Sequence, residues 1–155
     1  MKVEFIDNDS YKIFINSDYK KDLDLDNKEE LGKFIKSVIL KIRKFYNILL
    51  EGLYEVHVYV IKFIGTVLEI KNIDTYLSKN IDLKIVVHND EEIYLKVFKY
   101  ELIKDYKSIK YFNNFFYVNV NDMEEKEIYK LVENTSIIYG NDLEEIKSKW
   151  HCLTT

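Results

Sequence analysis

Apolar residues recur at every second position in two short stretches near the start of the chain, residues 3–5 and residues 11–15. This period places the apolar side chains of each stretch on one face of a strand. The polar stretch Asp7-Asn8-Asp9-Ser10 lies between them, and short polar side chains of this kind bond to the local backbone in turns. The pattern therefore predicts a β-hairpin.

The period changes after a polar stretch that ends near residue 26. Asn27 and Glu30 have the spacing of a helix capping box, in which each side chain bonds the other residue's backbone N–H. Apolar residues then recur at three- and four-residue steps, which predicts an amphipathic helix of about six turns that ends near Gly52. Its apolar face comprises Leu31, Phe34, Ile35, Val38, Ile42, Phe45 and Leu49.

Two further strands follow, over residues 56–60 and 67–70, so that the first part of the chain is predicted to have the order ββαββ. Residues 72–80 are short and polar, which makes them the expected boundary between two domains, 1–74 and 80–155. A strand over residues 83–87 opens the second domain.

Residues 89–103 are predicted to form a helix, because Asn89 and Glu92 have capping-box spacing and Lys104 suits the negative end of the helix dipole. A strand over residues 93–100 is the alternative. A hairpin is predicted next, with strands over 108–112 and 115–120 around the turn Asn113-Asn114.

The last part of the chain is predicted to contain two helices with a short strand, Thr135 to Tyr139, between them. Asp122 with Glu125, and Asn141 with Glu144, have capping-box spacing at the expected starts of these helices, with Gly140 as a turn. The predicted fold class is therefore α+β, an N-terminal ββαββ unit followed by a ferredoxin-like βαββαβα unit.

Composition fits a globular protein. The chain has 155 residues, of which 47% are hydrophobic and 32% are charged. It has no Pro, Ala or Gln, a bias that favours the residues of A/T-rich codons. No apolar run reaches the ~20 residues of a membrane span. The single cysteine, Cys152, cannot form an internal disulfide, which favours a reducing cytoplasm as the location.

The net charge of −4 is concentrated in the last 35 residues. The remainder of the chain has equal numbers of acidic and basic residues. One interpretation is a solvated helical surface, and the other is an acidic face for a basic partner, attracted over long range. An acidic balance argues against a nucleic-acid partner, because binding to phosphates depends on basic residues.

The sequence contains no pattern that predicts catalysis or a cofactor. The three aspartates Asp22, Asp24 and Asp26 resemble the start of a calcium loop, but Asn27 and Lys33 occupy the positions of its glycine and its bidentate glutamate. The three histidines, His57, His88 and His151, lack metal-type spacing, and Cys152 beside His151 is a weak site. The isolated glycines exclude a phosphate-binding loop. We therefore expect neither a metal site nor an enzyme.

The aromatic hairpin leaves three interpretations open. Phe115 and Tyr117 could stack on RNA bases, contact a protein partner, or belong to the core. The stacking interpretation requires an exposed aromatic residue together with a lysine patch formed by Lys104, Lys107 and Lys110.

The order of elements resembles that of the MecA family of adaptor proteins from low-GC Gram-positive bacteria. Residues 3–15 resemble the first hairpin of the family, and Glu51-Gly52 with the hairpin over 56–70 resembles the end of its N-terminal domain. Residues 84–120 and 137–143 are similar to parts of its C-terminal domain. The segment before the first helix, the linker and the third helix are shorter here than in the family.

The resemblance implies a non-enzymatic adaptor in regulated proteolysis. In the family, the N-terminal domain captures substrate proteins, among them a competence regulator, and the C-terminal domain docks on the AAA+ unfoldase ClpC, which passes substrates to ClpP. Acidic residues near the end of the third helix are thought to contact ClpC, and Glu133 is the nearest equivalent here. The expected partner-binding residues are Glu133, Glu124, Glu127, Phe115 and Tyr117. A small ferredoxin-like nucleic-acid-binding or regulatory protein is the alternative.

Overall fold

A computed structural model describes residues 1–16, 24–47, 51–74, 80–88 and 92–153. It confirms a mixed α+β fold, with helices and two five-stranded sheets among these residues. Contacts between Cα atoms divide the chain into two compact units. The first comprises Met1–Val60 and Gly65–Asn89, and the second comprises Ile61–Ile64 and Asp90–Thr155. No helix in the described ranges has the length and apolar character needed to cross a membrane.

The first sheet has the order β1-β2-β4-β3-β5. Its strands are β1 (Lys2–Phe5), β2 (Ser10–Asn16), β3 (Gly52–Ile61), β4 (Gly65–Asp74) and β5 (Ile81–His88). The hairpin predicted at the start of the chain is confirmed, with β1 and β2 antiparallel and Asp7 accepting a bond from the Asp9 N–H in the turn. Strand β5 pairs in parallel with β3. Residues 81–88 therefore belong to the first sheet, whereas the sequence assigned them to the second domain.

The amphipathic helix is confirmed as α1 (Lys28–Tyr46). The Asn27 side chain caps it by accepting a bond from the Glu30 N–H at 3.2 Å. The predicted stop at Gly52 is wrong, because the helix ends earlier, where Asn47 adopts a left-handed conformation, and Gly52 begins β3. The buried face of α1 packs on the sheet through Leu31, Ile35, Val38, Ile39 and Ile42.

The second sheet has the order β10-β7-β8-β6-β9. Its strands are β6 (Tyr94–Val97), β7 (Ile109–Phe112), β8 (Phe115–Asn119), β9 (Ser136–Ile138) and β10 (His151–Leu153), and all of its pairs are antiparallel. The hairpin around Asn113-Asn114 is confirmed, and both turn residues have positive φ, as a two-residue turn requires. Helices α2 (Glu125–Val132) and α3 (Gly140–Lys147) complete the unit.

The helix predicted over residues 89–103 is wrong for the described part, residues 92–103. Strand β6 and a single 3-10 turn, Tyr100–Leu102, occupy it, and Asn89 lies outside the described residues. Strand β6 lies between β8 and β9, and Tyr94, Leu95 and Val97 are all buried. A central strand that is buried on both faces loses the two-residue alternation and cannot be distinguished by period from a short buried helix. The predicted ferredoxin-like arrangement, which needs a helix in this first crossover, is therefore not confirmed.

Two predicted capping boxes are also misplaced. Asp122 belongs to a 3-10 turn, Val120–Asp122, and the capping box of α2 is formed two residues later by Glu124 and Glu127. Helix α3 begins at Gly140, before the predicted cap Asn141, and its N-cap residue, Tyr139, makes no side-chain cap.

Candidate functional site

Glu124 and Glu127, two of the predicted partner-binding residues, stabilise the start of α2. Glu124 is the N-cap residue, and its N–H donates to Glu127 Oε2 at 2.8 Å. The Tyr106 hydroxyl donates a further hydrogen bond to the Glu127 carboxylate. Burial and this carboxylate raise the pKa of Tyr106 to about 12, because both disfavour the tyrosinate anion. Glu127 is therefore engaged within the protein.

These residues line a cleft of about 640 Å³ in the second unit. Its charged walls carry both signs, with Asp105 and Asp122 beside Lys107 and Lys130. Mixed charge does not select an anionic or a cationic small molecule, and it gives the cleft no specific chemistry.

Glu133 has a different environment from the other two glutamates. It is exposed at the C-terminal end of α2, where the helix dipole presents negative partial charge. It forms no ion pair with a basic side chain in the described ranges. A carboxylate at this end of a helix is locally unfavourable, typically by about 0.3–1 kcal/mol. A cationic group from a partner would relieve that repulsion, so the position favours binding of a basic surface.

Tyr117 is not a surface residue. Only 2% of it is exposed, and it packs against Tyr94 and Leu143, with its ring centroid 6.1 Å from that of Trp150. Because Phe115, Phe116 and Tyr117 are consecutive aromatic residues, their apolar character alone did not show which one faces the core. The prediction that Tyr117 contacts a partner is corrected.

Phe115 lies on the same face of β8 and is half-buried. Lys96 Nζ lies 3.9 Å from its ring centroid, and the exposed ring of Phe98 lies 6.0 Å away, edge to face. Phe115 is therefore partly accessible to solvent at the edge of the cluster that contains Tyr94 and Tyr117.

The lysine patch required for RNA stacking is incomplete. Lys104 and Lys107 are exposed, but Lys110 is half-buried and donates to Cys152 Sγ at 2.9 Å. That bond is the main reason why the pKa of Lys110 is raised. Binding of single-stranded RNA needs exposed aromatic rings that stack on bases and lysines that contact phosphates. Tyr117 is buried and Lys110 is bonded to Cys152, so neither residue is free for these roles.

A hydrogen-bonded chain of side chains, which the sequence did not predict, crosses the parallel strands β3 and β5. His57 Nδ1 lies 2.8 Å from His88 Nε2, and His57 Nε2 lies 2.8 Å from Glu55 Oε1. Lys84 donates to the other oxygen of Glu55 at 3.1 Å. The hydrogen bonds from His57 and Lys84 lower the pKa of Glu55, so its carboxylate is ionised and only accepts.

The positions of the protons in this chain follow from that acceptor. When both imidazoles are neutral, His57 donates from Nε2 to Glu55 and accepts at Nδ1. His88 then donates from Nε2 to His57. The Tyr59 ring stacks on His88 with centroids 4.4 Å apart and holds that imidazole in place. Only the pairing of β3 with β5, which brings together residues 31 positions apart, could have shown this network.

Metal ligation finds no support in the described ranges, where no three His, Cys, Asp or Glu side chains are grouped to hold an ion. Asp24 accepts a bond from the Asp26 N–H at 3.0 Å, as in a local turn, and Asp22 lies outside the described residues. His151 and Cys152 are exposed on β10.

Comparisons of the chain with protein-family models, with curated proteins and with solved structures give no match. The functional interpretation therefore depends on the side chains described above.

Proposed function

We propose that the protein is a non-enzymatic adaptor that brings regulatory proteins to a ClpC-like AAA+ unfoldase and its ClpP-type protease in the cytoplasm. The observation that carries the proposal is Glu133, an exposed carboxylate at the negative end of α2 that has no basic partner among the described residues. A basic surface on the unfoldase supplies the missing partner. The resemblance to the MecA family supports the same assignment.

The distribution of charge also supports two separate binding roles. The last 35 residues carry the net charge of −4. Residues 31–47, which form most of α1 in the first unit, contain five basic residues and no acidic one. Opposite charge on these two segments suits the acidic one to a basic unfoldase and the basic one to a different class of partner, the captured substrate.

Titration of the fluorescently labelled protein with a ClpC unfoldase, followed by anisotropy at low salt, tests the proposal. We expect saturable binding. We also expect Glu133→Lys to weaken it about tenfold, since a favourable ion pair is replaced by repulsion, and to reduce its dependence on salt. Absence of binding at unfoldase concentrations on the order of tens of micromolar would contradict the proposal.

Glu101→Lys is a matched control for the charge change. Glu101 is exposed in the same unit but belongs to the 3-10 turn after β6 and not to α2. It changes the net charge by the same amount, so it should reproduce only the general loss of long-range attraction. Equal weakening by the two variants would reject Glu133 as a docking residue.

The nucleic-acid-binding alternative is tested on the same protein with a labelled single-stranded RNA in a mobility-shift assay. The burial of Tyr117 counts against it. An RNA complex that is lost on Phe115→Ala, together with no affinity for ClpC, would favour this alternative.

A further inference from the structure

A cleft with exposed apolar side chains lies between β1 and the C-terminal half of α1 in the first unit. Its volume is about 640 Å³, and Val3, Lys41, Ile42, Lys44, Phe45 and Tyr46 line it. We call it the β1 groove. Phe45 is 83% exposed although it continues the apolar face of α1 on which Val38 and Ile42 are buried. Several large apolar side chains exposed in one place are typical of an interaction site.

One wall of the groove is an edge strand. Strand β1 pairs with β2 on one side, and no described strand pairs with its other side. The Ile6 N–H donates to the Ser10 carbonyl at 3.0 Å. Bonded and non-bonded pairs alternate along an antiparallel ladder. The backbone N–H and C=O of Glu4 are therefore directed toward β2, and those of Val3 and Phe5 are directed away from it. These backbone groups form a template for a further strand.

The charged side chains that line the groove have one sign. They are Lys41 and Lys44, which stand on the helix wall. Lys2 and Glu4 alternate with Val3 along β1 and point to the other face of the sheet. The nearest basic neighbour in sequence, Arg43, is directed to Glu51 at 3.7 Å. This surface attracts an acidic chain and repels a basic one.

We propose that the β1 groove binds an extended acidic and apolar segment of a client protein, which adds to the first sheet as a strand beside β1. This inference rests on the proposed function, because it names the class of substrate that the first unit captures. Backbone bonds to Val3 and Phe5 supply affinity for any extended chain. Every second side chain of the added strand is directed toward α1, whereas the side chains between them point to the other face of the sheet. In the row that faces α1, apolar residues lie over Ile42 and Phe45, and acidic residues face Lys41 and Lys44.

The probe, the Val–Asp peptide, is a fluorescein-labelled synthetic peptide in which Val and Asp take turns at every second position with Ser between them, so that both face α1. Its counterpart, the Val–Lys peptide, replaces Asp with Lys. We expect the Val–Asp peptide to bind the full-length protein and the Val–Lys peptide to bind at least about tenfold more weakly. Equal binding of the two peptides, or binding of neither, overturns the proposal.

Val3→Pro tests the strand addition directly. Proline removes the outward N–H of Val3 and is tolerated on an edge strand where that N–H does not bond within the sheet. We expect unchanged folding by circular dichroism and peptide affinity reduced about tenfold, while Val3→Ile, which retains the N–H, binds as the wild type does. If Val3→Pro fails to fold, the amide-exchange experiment below replaces it.

Amide hydrogen exchange of the wild-type protein distinguishes strand addition from simple apolar contact. The amides of Val3 and Phe5 should exchange fast in the free protein and slowly with the Val–Asp peptide, while Glu4, bonded to β2, is protected in both states. Unchanged exchange of Val3 and Phe5 in a saturated complex overturns the proposal.

Phe45→Ser tests the groove, with Phe98→Ser as its matched control. Phe98 is 70% exposed and lies in the second unit. Only Phe45→Ser should reduce peptide binding. Self-association of the protein that Val3→Pro abolishes would assign the edge to a second copy of the chain and overturn the proposal.

The two proposals fail separately. Peptide binding without affinity for ClpC would reject the adaptor function and retain the groove as a peptide site. Affinity for ClpC without peptide binding would reject the groove alone.

Discussion

His57 Nδ1 and His88 Nε2 lie 2.8 Å apart across the only parallel strand pair found among the described residues, β3 with β5. The two ring planes are inclined by 18° and their centroids lie 5.1 Å apart, so the rings are nearly coplanar and directed at each other along the N···N line. When both imidazoles are neutral, the ionised Glu55 fixes the direction of the bond, with His88 as the donor and His57 as the acceptor.

The first prediction concerns the donor role of His88. Its replacement by Gln keeps an N–H that can reach His57 Nδ1, whereas His88→Leu leaves that half-buried acceptor without a donor. We expect His88→Leu to lower the free energy of unfolding by about 1 kcal/mol more than His88→Gln does. Urea denaturation of the two variants measures the difference, and equal stabilities would show that the bond contributes nothing.

Nitrogen chemical shifts give an independent check of the proton positions. Long-range ¹H–¹⁵N spectra at neutral pH should show His57 and His88 both protonated at Nε2. A neutral His57 with its proton on Nδ1 instead of Nε2 would contradict the assignment, because its Nε2 could then not donate to Glu55.

Three features that depend only on residues close together in the sequence were predicted correctly. The apolar stripe of α1, the Asn27 cap and the positive-φ turn at Asn113-Asn114 involve residues close in sequence, and all are observed. The end of α1 was misplaced because Asn47, like Gly, adopts the left-handed conformation that ends a helix.

Features that depend on strand pairing were not predictable in the same way. Strand β6 is buried on both faces, which removed its alternation, and β5 pairs with β3 rather than with the strands that follow it in sequence. The His57–His88 bond and the β1 groove depend on such pairings. Glu133 was predicted as a docking residue from a resemblance and from charge, and the structure adds only that it is exposed at the C-terminal end of α2.

The second prediction concerns stability at alkaline pH. Tyr106 has a pKa of about 12 in the folded protein and about 10 when unfolded. A raised pKa contributes stability that is complete below pH ~10 and is lost as the pH rises through ~12, because the unfolded chain releases its proton first. Tyr106→Phe should therefore lose less stability than the wild type between these pH values, as measured by urea denaturation.

Tyr106→Phe should also be less stable than the wild type at neutral pH, by about 1–2 kcal/mol, because the bond to the ionised Glu127 is lost. Tyr100→Phe, a change at an exposed tyrosine of the same unit, is the control. The prediction fails if the two variants follow the same alkaline profile.

The third prediction separates the stability of the free protein from its binding at Glu133. A lysine at this position interacts favourably with the C-terminal end of α2, so Glu133→Lys should raise the free energy of unfolding by about 0.3–1 kcal/mol. The same substitution should weaken docking to the unfoldase. Thermal denaturation at low salt measures the stability of Glu133→Lys against that of the wild type. A variant that is less stable and also binds more weakly would contradict the prediction.

The fourth prediction compares two glycines of the first unit. Gly65 begins β4 opposite Asn16 of β2, and its φ is +153°, in a region that L-residues rarely adopt. A Cβ added there would overlap the carbonyl oxygen of Ile15, which belongs to the backbone and cannot rotate away. Gly65→Ala should therefore cost about 3 kcal/mol or more, enough to unfold a marginally stable unit.

Gly32 is the matched control, because the same substitution there meets neither obstacle. It lies inside α1 with ordinary helical geometry, and an added Cβ would lie 3.9 Å from Ile85 Cδ1, an ordinary van der Waals distance. Alanine favours the helix and restricts the unfolded chain, so Gly32→Ala should raise the free energy of unfolding by about 0.5–1 kcal/mol. The two variants differ by one methyl group each and should shift the urea midpoint in opposite directions. A shift in the same direction would mean that the β2–β4 approach at Gly65 is less close than described.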